Sequence, residues 1–168
     1  MFELIPLHMI ELQNHMYIDI ESLGNAEGFL DDILENIDQI KLFEGFNLDE
    51  LKVLCHFMQC HAAPRDYTLL EEQGDGDFLL LVLTGKVSVV KVVPGYGVKQ
   101  IAEVGAGASL GELSLIDGRP RFASCITMAP TDFAVLTRHS LQRTSDSLPA
   151  TCQQTFTRSD ANYDSAYA

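Results

Sequence analysis

Apolar positions recur at helical spacing in one part of this chain and gather into short, turn-bounded segments in the rest. From Ala26 to Ile40, the residues Phe29, Ile33, Ile37 and Ile40 fall on one side of a helix, with Asp31, Asp32, Glu35 and Asp38 between them. This predicts an acidic amphipathic helix with one face to bury. After the linker KLFEGF, Asn47 is placed to cap a second helix, with Glu50 at the capping-box position. That helix presents Leu51, Leu54, Cys55 and Met58 and ends before Pro64. Upstream the pattern is weak: Met9, Ile10, Leu12 and Met16 fit either a short amphipathic helix or a partly ordered arm.

Beyond about residue 60 the pattern changes. FLLLVLTG (Phe78–Gly85), KVSVVKVV (Lys86–Val93), VKQIAEVG (Val98–Gly105), FASCITM (Phe122–Met128) and TDFAVLTR (Thr131–Arg138) read as strands. Gly85, Pro94-Gly95 and Ala129-Pro130 punctuate them. Many short strands at such spacing predict a sandwich, a barrel or a jelly roll. No helix of crossover length separates them, which argues against a parallel α/β sheet. A further helix is expected near His139, in RHSLQRTSDSL. From Pro149 to Ala168 there is no Leu, Ile, Val or Met, so this stretch is expected to be a disordered tail. The expected organisation is an arm at 1–25, a domain at 26–147 with helices before its strands, and a tail at 148–168.

Charge narrows the range of functions. The 168 residues carry a formal charge of −13, and residues 1–50 hold twelve acids against the single Lys41. Such a surface repels phosphate backbones, which argues against nucleic-acid binding. A basic anion site in this chain has to be local and enclosed. The opening MFELIPLHMIELQ lacks the basic region of a signal peptide, and no apolar run approaches the roughly 20 residues of a membrane span. A soluble, cytoplasmic protein is expected, with Cys55, Cys60, Cys125 and Cys152 as reduced thiols. CHFMQCH (Cys55–His61) resembles a metal site. Its C-x4-C spacing straddles an expected helix end, however, and the helix's apolar face already accounts for Cys55. Structural cysteines and no metal are therefore expected, with His56 and His61 at or near the surface. Thr68–Arg138 contains no histidine, which speaks against the metal-dependent jelly-roll enzymes. Ser114 and Ser124 have no neighbouring histidine in their motif, so no catalytic role is expected.

The segment GELSLIDGRPRFAS (Gly111–Ser124) carries the candidate chemistry. GELSLI is long enough for a short helix, and Gly105, Gly107 and Gly111 allow close backbone approach to a ligand. The start of that helix offers N–H groups. Arg121 can grip a phosphate bidentately. Glu112 would repel a phosphate unless it accepts from a hydroxyl, which a sugar supplies. Together these groups suit a small phosphorylated sugar.

This segment, with QGDGDFLLLVLTGKVSVV and its turn glycines Gly74 and Gly85, resembles the cyclic nucleotide-binding domain. That domain is shared by the catabolite activator protein family, protein kinase A regulatory subunits and cyclic-nucleotide-gated channels. The resemblance spans roughly residues 40–145. It implies a mainly β fold with flanking helices, a jelly roll of the double-stranded β-helix type. It implies that Glu112 accepts from the ribose 2′-hydroxyl, and that Gly111, Glu112 and Leu113 supply backbone near the sugar-phosphate. Arg121 grips the exocyclic phosphate oxygens, Ala123 lends an N–H, and Ser124 closes the cassette. Arg119 falls at a variable, surface position. Leu69, Leu81, Val89 and Leu113 are expected in the barrel interior.

Phe122 departs from the family, which usually places a small residue there. Without a hydroxyl it speaks against cGMP and leaves cAMP as the expected ligand. Its ring is expected to crowd the pocket, to point into the core or to stack on the base. The tail also departs, because it does not suit the family's C-terminal lid helix. No DNA-binding helix-turn-helix, kinase or channel segment is seen. The resemblance implies a sensor in which the ligand draws the cassette inward and the flanking helices, Ala26–Ile40 and His139–Leu148, repack. Its output would pass through a protein partner or a homodimer. The alternative is a degenerate jelly-roll interaction module that has lost its nucleotide and docks a partner through its acidic helices or through an exposed apolar stripe on Phe29, Ile33 and Ile37.

Overall fold

The structure, a computed structural model, describes residues 20–40 and 43–145. The stretch Met9–Met16, read as either a short helix or a partly ordered arm, and the tail at 148–168 lie outside the described residues. Among the described residues, nine strands form two antiparallel sheets, a β-roll in keeping with the jelly roll that the family resemblance implies. The strands are β1 (Glu21–Asn25), β2 (Gln59–Ala63), β3 (Thr68–Leu70), β4 (Phe78–Thr84), β5 (Lys86–Val93), β6 (Gly97–Gly105), β7 (Ser109–Leu110), β8 (Ser124–Thr127) and β9 (Thr131–Thr137). One sheet runs β1-β2-β9-β4-β7 and the other β3-β8-β5-β6.

Strand β4 sits inside the first sheet, between β9 and β7, and its alternation divides its side chains between two cores. Phe78, Leu80 and Val82 join Leu69, Val87, Val89, Cys125 and Phe133 in a cluster between the sheets. Leu79, Leu81 and Leu83 join a second cluster beneath the helices, with Ile33, Ile40, Phe43, Leu51, Leu54 and Met58. Leu69 and Val89 are thus interior to the roll, as expected, whereas Leu81 packs on the helical side.

Helix α2 (Leu48–Phe57) begins at the expected cap. The Asn47 amide donates to Glu50 Oε2 at 2.8 Å, and the Glu50 amide donates to Asn47 Oδ1 at 3.0 Å. The single helix expected over Ala26–Ile40 is instead three pieces: a 3-10 turn at Ala26–Phe29, helix α1 (Leu30–Glu35) and a 3-10 turn at Ile37–Gln39. Its burial pattern survives the break. Ile33 and Ile40 are buried, while Phe29 and Ile37 pack half-buried against the same cluster. The proposed docking stripe is therefore the core-facing side of this segment. The break has local causes. Asn36 Nδ2 donates to the Asp32 carbonyl at 2.9 Å, a side-chain bond that competes with the helical ladder. Glu35 also ends α1 with an acid where the helix dipole favours a cation.

Strand β1 falls within the segment read as an arm. ESLGN has little strand character of its own, and it is held by pairing with β2, Glu21 opposite Ala62 and Asn25 opposite Gln59. The segment CHFMQCH spans the end of α2 and the start of β2, which carries Cys55 and Cys60 into the helical core, both buried. Burial pushes the Cys55 thiol up to about 11 and the Cys60 thiol up to about 12, so both stay protonated. His56 is exposed and pairs with Glu27 Oε1 at 3.0 Å, whereas His61 is half-buried against the Phe133 ring.

Candidate functional site

The loop after β7 turns on Gly111, whose φ of +83° lies in the left-handed region that glycine enters without strain. Helix α3 (Glu112–Asp117) follows at once, the short helix expected from GELSLI. At six residues it adds little dipole, so the positive charge of the site comes from Arg121. The helix orients its own residues instead. Glu112 and Leu113 face a cavity, while Leu115 drops into the helical core.

Arg121 is 3% exposed. Its Nη1 donates to the Gly111 carbonyl at 2.9 Å and its Nη2 to the Phe78 carbonyl at 2.8 Å. The guanidinium carbon lies 4.6 Å from the centre of the Phe78 ring. Its main chain is pinned as well: the Arg121 amide donates to the Gly74 carbonyl at 2.9 Å, and the Gln73 amide donates to the Arg121 carbonyl at 2.8 Å. Two glycines make room for the side chain. A Cβ on Gly76 would stand 2.1 Å from Nη2, and one on Gly111 would stand 2.3 Å from Nη1. Burial draws the Arg121 pKa down to about 10, against the pull of nearby Cys125 and Asp77, so the group remains a cation at neutral pH. A buried cation whose hydrogen bonds go to neutral carbonyls is a strong attractor for an anion.

The cavity in front of Arg121 measures about 210 Å³. Six of the seven residues singled out in the sequence line it: Gly111, Glu112, Leu113, Arg121, Phe122 and Ala123. Glu112 is 8% exposed and accepts from the Ser109 hydroxyl. Ala123 is buried beneath the opening. Ser124 is not in the lining; its hydroxyl accepts from the Glu72 amide at 2.8 Å and so holds a neighbouring turn. Arg119 is exposed, as expected.

Phe122 is 44% exposed and forms part of the rim. Of the three expectations for its ring, the core placement is ruled out. Lys91 Nζ lies 4.0 Å from the ring centre, donates to the Phe122 carbonyl at 2.7 Å and reaches Glu72 Oε1 at 3.0 Å. The Val92 amide donates to Glu72 Oε2 at 2.8 Å. Lys91 and Glu72 were missed in the sequence, where each is one charge among many and nothing marks them as neighbours. Ser109 was missed too, although its position three residues before Glu112 is the only signal available. Ile101, half exposed on β6, also lines the cavity.

The far end of the site connects to the helix that follows β9, α4 (Arg138–Ser145). The Arg138 amide donates to the Asp77 carbonyl at 2.6 Å, and Arg138 Nη2 donates to the Ser114 carbonyl of α3 at 3.1 Å. Thr137 Oγ1 accepts from the Ser140 amide and caps this helix. Among the described residues, no helix is long and apolar enough to cross a membrane.

Comparison with known proteins places this geometry among relatives. The profile of the cyclic nucleotide-binding domain matches residues 61–147, a little over half of the chain. A cyclic nucleotide-binding domain of known structure from Methylobacillus flagellatus KT is 45% identical, with a TM-score of 0.79 over 91% of this chain and 88% of that one. The CRP-like cAMP-activated global transcriptional regulator of Mycobacterium tuberculosis is 27% identical over 101 residues, 60% of this chain and 45% of that protein. The cyclic AMP receptor protein of Thermus thermophilus is 29% identical over 97 residues, 58% of this chain and 45% of that protein. The chain thus spans less than half the length of these curated relatives.

Proposed function

The chain belongs to the cyclic nucleotide-binding domain family, and from that premise we propose that it is a cAMP-binding sensor module acting through a protein partner or through self-association. The observation that carries this reading is Arg121, a buried cation fixed by two carbonyls at the wall of a cavity that also holds a carboxylate. The exocyclic phosphate meets Arg121, which supplies charge-assisted N–H donors. The ribose 2′-hydroxyl donates to Glu112, and the Gly111–Leu113 and Ala123 backbone surrounds the sugar-phosphate. Within the chain, Arg121 donates to the Gly111 carbonyl and Glu112 accepts from the Ser109 hydroxyl. Binding therefore exchanges internal bonds for ligand bonds, and α3 moves with them. The bond that Arg138 donates to the Ser114 carbonyl carries that shift to the start of α4. Such a ligand moves the equilibrium only by its differential affinity for the two arrangements. The regulatory reading assigns no catalytic group.

Calorimetric titration with cAMP, then with cGMP, tests the proposal. Saturable binding is expected, tighter for cAMP. In Arg121→Lys, which keeps a charge but loses the fork, affinity falls on the order of 10–100-fold; in Arg121→Ala the loss is on the order of 10²–10³-fold. Circular dichroism of each variant establishes that it is folded. No heat and no thermal stabilisation with either nucleotide would overturn the sensor reading, as would full affinity in folded Arg121→Ala.

A further inference from the structure

Phe122 is an anomaly that phosphate and ribose recognition leave unexplained. It is a large apolar side chain, 44% exposed, at the mouth of a cavity. It is also held more firmly than an exposed side chain needs to be. Lys91 lies over its ring and bonds its carbonyl, Glu72 anchors Lys91, and the Val92 and Glu72 amides tie Glu72 to β5 and to Ser124. This chain of contacts fixes an aromatic surface next to the residue that would bind the phosphate. A ring anchored in advance loses little side-chain entropy when a flat partner lies on it.

We propose that Phe122 is the platform for the nucleobase, that it selects purines over pyrimidines by stacking, and that Lys91 is its positioning residue. The proposal rests on the cyclic-nucleotide reading of the same cavity and adds to it how the base is read. A phenyl ring has no donor or acceptor, so it distinguishes bases by stacking area rather than by hydrogen-bond pattern. A purine offers two fused rings and a pyrimidine one. The cation over the ring occupies part of its surface and holds its orientation. Glu72 in turn neutralises that cation, so the rim does not compete with Arg121 for the phosphate.

The experiment compares the full chain with Phe122→Leu, Phe122→Ala and Lys91→Met, titrated with cAMP and with cCMP. One stacked base contributes enough that removing the ring should weaken cAMP binding by roughly 5- to 150-fold. The loss for cCMP should be smaller, and the purine preference should shrink in Phe122→Leu. Lys91→Met should weaken cAMP binding less than Phe122→Leu does. A positioning role also predicts a spectroscopic signature. The adenine H2 and H8 resonances of bound cAMP are shifted upfield by the ring current in the parent, less in Lys91→Met, and not in Phe122→Leu. Equal losses for cAMP and cCMP, or absence of the ring-current shift in the parent, would overturn the platform and leave the phosphate site standing. Tighter cAMP binding in Phe122→Ala would identify the ring as a plug, again refuting the platform alone. Failure of the parent and of both Phe122 variants to bind any nucleotide would remove both proposals.

Discussion

Gly76→Ala tests the cradle around Arg121 without touching the arginine. The φ of Gly76 lies outside the left-handed region, so alanine brings no backbone strain. The added methyl would stand 2.1 Å from Nη2, 2.6 Å from Cζ and 2.7 Å from Nε of Arg121, so the guanidinium has to leave. Leaving breaks the buried bond to the Phe78 carbonyl, worth about 1.5–3 kcal/mol for a charged donor. It also removes the guanidinium from the Phe78 ring, a further ~0.5–2 kcal/mol. Against this, alanine reduces the freedom of the unfolded chain, a gain of about 0.4–1 kcal/mol. The net loss is roughly 1–4.5 kcal/mol, or on the order of 3–15 °C in melting temperature for a domain of this size. Gly28→Ala is the matched control, because no atom lies within 4 Å of its Cβ position and its φ is also ordinary. It should be neutral or stabilise by up to about 1 kcal/mol. Differential scanning calorimetry of the three proteins decides the matter. A Gly76→Ala melting point within about 1 °C of the parent would show that the guanidinium has an equally good place elsewhere, and the preformed anion site would fail with it.

Three further outcomes are expected. Asn47→Ala removes the side-chain half of the capping box and should cost about 0.5–2 kcal/mol in urea denaturation, with an unchanged m-value. The Val92 amide, then the Lys91 ammonium, holds the Glu72 carboxyl below the usual carboxylate range. Its stabilisation is therefore fully present above that range and lost as pH falls through the lowered value. Urea midpoints measured through the acid range should fall less steeply in Glu72→Gln than in the parent. The thiols of Cys55, Cys60 and Cys125 are buried and raised to about 11, about 12 and about 11, so in the native protein at pH 8 they should resist a disulfide reagent and react once denaturant is added. Rapid labelling of Cys60 in the native state would contradict this.

Much of this was legible in the chain, and most of the exceptions depend on partners distant in sequence. The strands over Phe78–Thr84, Lys86–Val93 and Thr131–Thr137 show as apolar runs because each contributes to a buried core. The cap at Asn47 shows because capping is a local interaction between residues three apart. GELSLIDGRPRFAS shows because backbone freedom, a carboxylate and an arginine are close in sequence as well as in space. Strands β1, β2, β3 and β7 do not show. QCHAA and ESLGN become strands by pairing with partners distant in sequence, and Ser109–Leu110 is only two residues long. The Lys91–Glu72–Phe122 chain joins positions 19 and 31 residues apart and leaves no periodic trace. The break at Asn36 illustrates the opposite limit: the apolar spacing identified the buried face correctly but said nothing of how a side chain would compete with the helix along it.

The placement of β4 has a consequence for the whole domain. Its odd and even residues are embedded in different cores, so one strand's thickness of backbone is the partition between the side that holds the Arg121 cavity and the helical side. Its first carbonyl, that of Phe78, holds Arg121, and the residue before it, Asp77, accepts from the first amide of α4. Neither compartment can be repacked without loading that shared wall. Trimming Leu79 or Leu81, which touch only the helical core, should therefore register as altered grip on an anion lodged on the opposite side.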